Sequence, residues 1–396
     1  MPSMRPSGLA GGLALAIAGS TASIAADIRQ SPEPVDYVRV CDAYGSRFFY
    51  LPGTTTCLRV HAKARSEVRF YNFGQNENAW GDRDSDGAEW RTSAYLHFDA
   101  RTETEFGTLR TYVELSQKIA NGDESTSIEK NYIHWGGLLA GYHRSRFDFF
   151  RGYASDAQIS SVSDLTTNML SYTASFAEGL SATLAAEQRT ERETSLGLDG
   201  GTESFGGTRV PDAVVRLRST QDWGKAQIMG ALHQVYPGTD YTSATGSNDT
   251  LLGWAAGAGV KLDFTAFGGK TLAALQVVYT HGASGYGSTD WTDLITDAVW
   301  DGRRTKATKT LNLTSGLWHK FDDFTLALEA GYHKVDAGTD DFDFTQWSTT
   351  ANLLWEPVKG LKMGPELQYR DLNYKNAAGL DDTYEVFGTL RFQRSF

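Results

Sequence analysis

The last segment of the chain alternates apolar and polar side chains with a period of two residues. It runs from Asp382 as DTYEVFGTLRFQRSF. Apolar side chains share one parity and polar ones the other: Tyr384, Val386, Leu390, Phe392 and Phe396 against Glu385, Thr389, Arg391 and Gln393. Such alternation predicts a β-strand with one apolar face. A terminal strand of this kind is expected where the last segment pairs with the first to close an outer-membrane barrel, although a soluble sandwich can also end on a strand.

The segment after the second cysteine has the same period. It runs LRVHAKARSEVRFYN over 58–72, with Leu58, Val60, Ala62 and Ala64 on one parity and Arg59, His61, Lys63, Arg65, Glu67 and Arg69 on the other. We therefore predict a strand with a basic polar face.

Comparable segments recur along the rest of the chain, and together they predict about sixteen strands. Their ranges are 58–72, 91–101, 108–118, 126–136, 138–149, 168–177, 180–188, 210–223, 225–236, 251–267, 271–281, 308–321, 324–335, 346–357, 361–372 and 382–396. The connections alternate between tight turns and long polar stretches, which is typical of short periplasmic turns and long external loops. The predicted fold class is an all-β, transmembrane antiparallel barrel. A β-propeller would show a fixed sequence period, and a soluble sandwich of this size would need a domain linker; neither feature is visible.

The amino-terminal residues have the features of an export signal. A weakly basic start precedes the apolar run from Leu9 to Ile17, and small residues follow at 22–26. A membrane anchor is the alternative, but Gly, Ser and Thr dilute the run. We expect a signal peptide over 1–26, a periplasmic segment over 27–57 and a transmembrane barrel over 58–396.

Composition agrees with a barrel and excludes one class of partner. Mean hydropathy is −0.38, and only a barrel crosses a membrane with so polar a sequence, because only alternate residues face lipid. Gly is abundant (41) and Pro scarce (9), as turns and ladders require. A net charge of −11 argues against a nucleic-acid partner.

The chain has two cysteines, Cys41 and Cys57, which bracket a short segment. In an oxidising compartment they are expected to form a structural disulfide. A metal site is not expected there, because neither a His nor a third Cys lies at ligand spacing.

Four stretches resemble the general porins of alphaproteobacteria. They are YVRVCDAYGSRFFYLPGTTTCLRV at 37–60, NYIHWGGLLAGYHRSRFDFF ending at Phe150, NMLSYTASFAEGLSATLAAEQ at 168–188, and the closing TLRFQRSF. The resemblance spans essentially the whole chain after the signal. It implies a sixteen-stranded homotrimer in the outer membrane of a Gram-negative bacterium, in contact with membrane lipid, that passes small hydrophilic solutes and ions.

In such a barrel the polar parity of the first strand would face water. We expect Arg59, Lys63, Arg65 and Arg69 to line the pore, with Arg91 and Arg110 from neighbouring strands. By analogy with the family, 150–167 is the candidate constriction loop. Its acids, Asp156 and Asp164, and the preceding Asp148 would face the basic wall across the pore. A solvated face without a special role is the alternative.

No nucleophile elbow, phosphate-binding glycine loop or paired ligand set stands out, so we expect neither an enzyme nor a cofactor. Two other functions stay open for the same fold. One is a substrate-specific channel, which would show saturable block. The other is a structural or adhesive barrel, which would conduct little.

Overall fold

The computed structural model describes residues 39–71, 83–84, 86–156, 158, 162–198, 201–288, 295–339, 342–375 and 381–396. The predicted signal peptide, 1–26, lies outside these residues, as does the first part of the predicted segment 27–57. In the described part of the chain no helix is long and apolar enough to cross a membrane.

The described residues form twenty-one strands, sixteen of which make one closed antiparallel sheet. In chain order the strands are β1 (Phe49–Tyr50), β2 (Cys57–Phe70), β3 (Ala88–Thr102), β4 (Leu109–Ala120), β5 (Asp123–Trp135), β6 (Leu138–Arg144), β7 (Thr166–Ala177), β8 (Leu180–Glu187), β9 (Leu196–Leu198), β10 (Gly201–Glu203), β11 (Asp212–Gln221), β12 (Gly224–Val235), β13 (Leu251–Ala266), β14 (Gly269–His281), β15 (Ala298–Trp300), β16 (Thr305–Ala307), β17 (Lys309–Phe321), β18 (Phe324–Asp336), β19 (Phe344–Val358), β20 (Leu361–Tyr374) and β21 (Thr383–Ser395).

The barrel consists of β2–β8, β11–β14 and β17–β21, each paired with its neighbours. It closes between the last strand and the first, where Arg65 lies opposite Gln393. The carboxyl-terminal Phe396 exchanges two backbone hydrogen bonds with Ala62, each 3.0 Å long. The prediction of sixteen strands with a closing terminal strand is therefore confirmed.

Alternate residues face opposite sides of the sheet, as the sequence pattern predicted. Apolar side chains on the outer face are exposed, such as Val60 (44%) on β2 and Trp90 (70%) on β3. Inward side chains on the same two strands are polar and covered, such as Glu67 (1%) and Asp99 (2%). The outer surface is thus apolar and the bore is polar, which is the reverse of a soluble barrel.

The two rims differ in the length of their connections. One rim has six two-residue turns, at 136–137, 178–179, 222–223, 267–268, 322–323 and 359–360, and one longer turn at 103–108. The other rim has the long connections. The exception there is the β4–β5 turn, Asn121–Gly122, which has positive φ angles of 50° and 95°. This pair suits a tight hairpin turn, in which both central residues need positive φ.

The long-loop rim has structure of its own that the sequence pattern did not predict. The short strands β9, β10, β15 and β16 form a second sheet from two long connections. Helix α1 (Thr239–Thr245) places Tyr241 against Leu196 and Ala298 in a buried cluster. The connections between β8 and β17 on this rim therefore form a folded unit with a buried apolar cluster of its own.

The predicted strand over 138–149 is shorter in the structure and ends at Arg144. The chain leaves the sheet there because the Glu187 carboxylate accepts hydrogen bonds from the Ser145 hydroxyl (2.6 Å) and the Arg146 backbone N–H (2.7 Å). The following residues enter the bore.

The cysteines form the predicted disulfide, Cys41–Cys57, with Cα atoms 6.0 Å apart. The segment that it closes contains β1, which pairs with the start of β2. Phe48 in this segment lies under the guanidinium groups of Arg59 (4.7 Å) and Arg101 (5.0 Å). The disulfide therefore fixes a small hairpin against the inner side of β2 and β3 at the short-turn end.

Candidate functional site

The predicted basic residues all lie on inward positions of β2, β3 and β4. These are Arg59, Lys63, Arg65, Arg69, Arg91 and Arg110, and they share the wall with acids of the same parity. We call this part of the bore the basic wall. The alternation of side chains predicted where these cations lie but assigned no role to the acids beside them.

Asp99 is the centre of one cluster on the basic wall. Its carboxylate accepts hydrogen bonds from Arg59 Nη2 (3.1 Å), Arg101 Nη2 (2.8 Å) and Arg110 Nε (2.8 Å). One buried carboxylate thus holds three guanidinium groups, which leaves a surplus of two positive charges.

Glu67 is the centre of a second cluster, which also has three arginines around one carboxylate. It contacts Arg69 Nη2 at 2.9 Å, Arg391 Nη2 at 2.5 Å and Arg65 Nη1 at 4.0 Å. Because Arg391 belongs to β21, this cluster lies across the closure of the barrel. Sequence reasoning could have found Glu67 and Asp99, since both occupy the inward parity.

The remaining predicted cations of the wall have individual partners. Lys63 Nζ lies 3.6 Å from the centroid of the Tyr95 ring, a cation–π contact. Arg91 Nε binds Glu89 at 2.7 Å. Farther along the wall, Lys130 Nζ binds Glu114 at 2.6 Å. Pairing holds each charge in place, and the two three-arginine clusters leave the wall positive.

A loop between β6 and β7 enters the bore, and it contains most of the predicted constriction segment 150–167. Its first part is held against the inner wall by side-chain amides. Gln227 Nε2 donates to the Phe147 carbonyl (3.1 Å), and the Phe150 N–H donates to Gln276 Oε1 (2.9 Å). The rings of Phe149 and Phe150 cover Gly259 and Gly316, where a Cβ atom would overlap them. These two glycines therefore make room for the loop.

The tip of the loop continues along the wall to β18, β20 and β21. The backbone N–H groups of Tyr153 and Ala154 donate to Glu329, and that of Ser155 donates to Glu366 Oε2 (2.7 Å). Gln158 Nε2 donates to the Gly388 carbonyl at 2.8 Å. The loop is thus attached inside the bore at several points from β12 to β21, and it reaches β2, where Gln158 Nε2 also donates to the Phe70 carbonyl (3.3 Å).

The three predicted acids have different environments. Asp148 has no exposed side-chain surface, binds Arg192 Nη2 at 3.0 Å and accepts from the Leu165 N–H at 2.7 Å. It therefore offers no charge to water in the bore and instead ties the two ends of the loop together. Asp164 is one-third exposed (34%) and contacts Arg144 Nε (3.0 Å) and Arg151 Nη1 (3.5 Å).

Asp156 lies at the loop tip beside two wall carboxylates, Glu329 and Glu366. Desolvation between loop and wall, followed by the charges of Glu329 and Glu366, raises the pKa of Asp156 well above its ordinary value.

This environment predicts a pH-dependent ion preference. Lowering the pH through the raised pKa of Asp156 should protonate its carboxyl, remove negative charge from the bore and move the reversal potential in a salt gradient toward anions. The ionised carboxyl also destabilises the fold above its raised pKa; this cost decreases as the pH falls below that value and is gone below the ordinary pKa of an aspartate. In Asp156→Asn the acid-induced shift of the reversal potential should be much smaller. An equally large shift in that variant would assign the titration to other groups.

Within the described ranges, no three His, Cys, Asp or Glu side chains are grouped so that they could hold a metal ion. The charged side chains described above instead hold one another and the loop.

Comparison with known proteins identifies the family. Residues 25–389 match the porin subfamily. The chain belongs to the porin subfamily. Porin Omp2b of Brucella neotomae is 31% identical over 409 aligned positions, which cover 97% of this chain and 98% of that protein. This family agrees with the resemblance to alphaproteobacterial porins found in the sequence.

Solved structures with a similar fold are also outer-membrane proteins. The outer membrane channel DcaP of Acinetobacter baumannii has a TM-score of 0.69 at 14% identity, covering 88% of this chain and 99% of that one. OmpT of Vibrio cholerae in its trimer form has a TM-score of 0.53 at 10% identity, covering 87% and 100%. Together with the family, the fold makes this porin a passive-diffusion channel of a Gram-negative outer membrane. Its family is one of channels rather than enzymes.

Proposed function

We propose that this porin passes small hydrophilic solutes and ions through a bore with a preference for anions. The observation that supports this preference is the charge balance of the basic wall, where Glu67 and Asp99 each hold three arginines. The surplus positive charge attracts anions into a narrow, partly desolvated passage. No chemical step is part of this function.

In this proposal the pore lining consists of the basic wall and the acids on the loop side. The lining residues are Arg59, Lys63, Arg65, Arg69, Arg91, Arg110, Asp156 and Asp164. Asp148 is not among them, because its carboxylate is covered and its contact with Arg192 supports the loop. Positive charge on β2–β4 and the carboxylates at the loop tip would together orient polar solutes as they pass.

The test is the single-channel conductance of the purified protein in a planar bilayer, with the reversal potential measured in a potassium chloride gradient. The proposal predicts ohmic steps and a reversal potential on the anion side of zero. Absence of conductance would remove the diffusion function. Conductance with cation preference would leave the diffusion function intact and would contradict only the proposal that the excess arginines of the basic wall attract anions.

We also propose that the porin assembles as a homotrimer, as OmpT does in the trimer form named above. Polar side chains on the outer face of β4 and β5 support this, since Gln117, Thr126 and Asn131 are exposed at positions that would otherwise face lipid. Polar groups are disfavoured in the hydrocarbon layer and are common where protomers meet. Lipid would cover the apolar remainder. Sedimentation of the detergent-solubilised protein tests the assembly, and a monomer would contradict it.

A further inference from the structure

A second group of cations surrounds a half-open recess of about 250 Å³ below the root of the loop. It lies on β6, β11, β12 and β13, away from the basic wall. We call it the basic pocket and define it by its seven cationic residues: Arg144, Arg146, Arg151, Arg216, Arg218, Lys225 and Lys261. None of them belongs to the pore lining proposed above.

The basic pocket has very few counter-charges. Among the described residues the one carboxylate that lines it, Asp148, is already paired with Arg192. Asp164 serves both Arg144 and Arg151. The nearby Glu187 accepts from Ser145 and from a backbone N–H, without an ion pair to a side chain of the pocket. The positive charges around the recess therefore exceed the negative ones and repel each other, and a bound anion would reduce this repulsion.

Five of the seven cations form no ion pair with a carboxylate within the described residues: Arg146, Arg216, Arg218, Lys225 and Lys261. Their contacts are neutral ones. Arg146 Nε donates to Ser171 Oγ at 3.1 Å, and Arg218 Nε donates to Gln227 Oε1 at 2.9 Å. Lys261 Nζ lies 4.9 Å from the centroid of the Phe149 ring. These contacts position the charges without neutralising them.

Arg216 is the most deeply buried cation of the basic pocket. It is only 9% exposed, and its Nη2 donates to Thr183 Oγ1 at 2.8 Å. Its Nε is buried and has no hydrogen-bond partner in the part of the chain that the structure describes. Other N–H groups of this guanidinium line the recess, where an oxyanion would accept hydrogen bonds from them.

We propose that the basic pocket is a binding site for a small divalent oxyanion, such as inorganic phosphate, on its way through the bore. Guanidinium groups are well suited to this ligand, because their planar N–H donors match pairs of phosphate oxygens. The pocket lies between the loop and the short-turn rim, so an anion that has passed the narrow part of the bore meets it. The proposal rests on the diffusion function stated above and adds a weak, saturable site to it.

Inorganic phosphate is the probe for the test. Chloride current through single channels is measured at constant ionic strength while phosphate replaces part of the chloride. We expect the current to fall with phosphate and to level off in the millimolar range. In the double variant Arg216→Gln, Lys261→Gln, the half-maximal concentration should rise about tenfold or more, since hydrogen bonds from charged donors are lost.

The control is Lys118→Gln, which removes one inward charge from β4, far along the wall from the pocket. It should leave the half-maximal phosphate concentration unchanged. A phosphate effect that never saturates in the unmodified protein, or that is equal in the double variant and the control, would overturn the site. If only the phosphate site is absent, all three proteins still conduct chloride but show no saturable phosphate effect. If the diffusion function itself is wrong, none of them conducts. The saturation test on the unmodified protein does not depend on how the variants fold.

Discussion

Replacing Lys63 and Arg65 by glutamate should move the reversal potential of the open pore toward cation selectivity. The exchange makes the basic wall more negative by four charges, two at each position. In a tenfold salt gradient we expect a shift on the order of 20 mV, against the limit of about 59 mV for a perfectly selective monovalent pore. The measurement is the zero-current potential of single channels.

The matched control is the double variant Lys359→Glu, Arg303→Glu. It makes the same change of charge at exposed positions on the two rims, outside the narrow part of the bore. Its reversal potential should change little, because exposed charges are screened by salt. If the control and the wall variant shifted equally, net charge rather than the lining would set the ion preference.

Asp99→Asn should cause a large loss of stability, because it removes the carboxylate shared by Arg59, Arg101 and Arg110. Breaking a buried ion pair costs about 3–5 kcal/mol. We expect about 3 kcal/mol, the lower end of that range, since the arginine side chains remain 24–38% exposed and water can solvate them in part. The measurement is the free energy of unfolding by urea in lipid vesicles.

Asp263→Asn provides the comparison for that result. Asp263 pairs with Lys270 at 2.8 Å, but the two side chains are 43% and 56% exposed. An exposed pair contributes little, so this change should cost less than about 1 kcal/mol. If Asp99→Asn were no more destabilising than Asp263→Asn, Asp99 would not organise the arginines of the wall.

The strands and their inward faces were predictable from sequence because the barrel imposes one simple rule on each of them. Alternation placed Lys63 and Arg65 inside and Leu390 and Phe392 outside, and the structure has them there. The rule is local, so it needs no knowledge of which strands are neighbours. It also indicated the closing strand, whose last residue pairs with Ala62.

The organisation of the bore was not predictable in the same way, because it depends on register and on a loop that crosses many strands. The contact between Arg391 and Glu67 joins residues at opposite ends of the chain. Asp148 directly precedes the candidate loop 150–167, yet its partner, Arg192, comes from the next long connection. The sheet formed by β9, β10, β15 and β16 has strands of three residues, too short for alternation to reveal.

The central claim is that the polar side of each strand lines a hydrated bore and the apolar side faces lipid. The most direct test compares single cysteines at Lys63 and Ala64, neighbours on β2 that point to opposite faces. The native cysteines are already joined and do not compete for reagent. A charged, water-soluble thiol reagent should change the conductance of Lys63→Cys channels and leave Ala64→Cys channels unaffected. Modification that changes conductance at Ala64 but not at Lys63 would contradict the account.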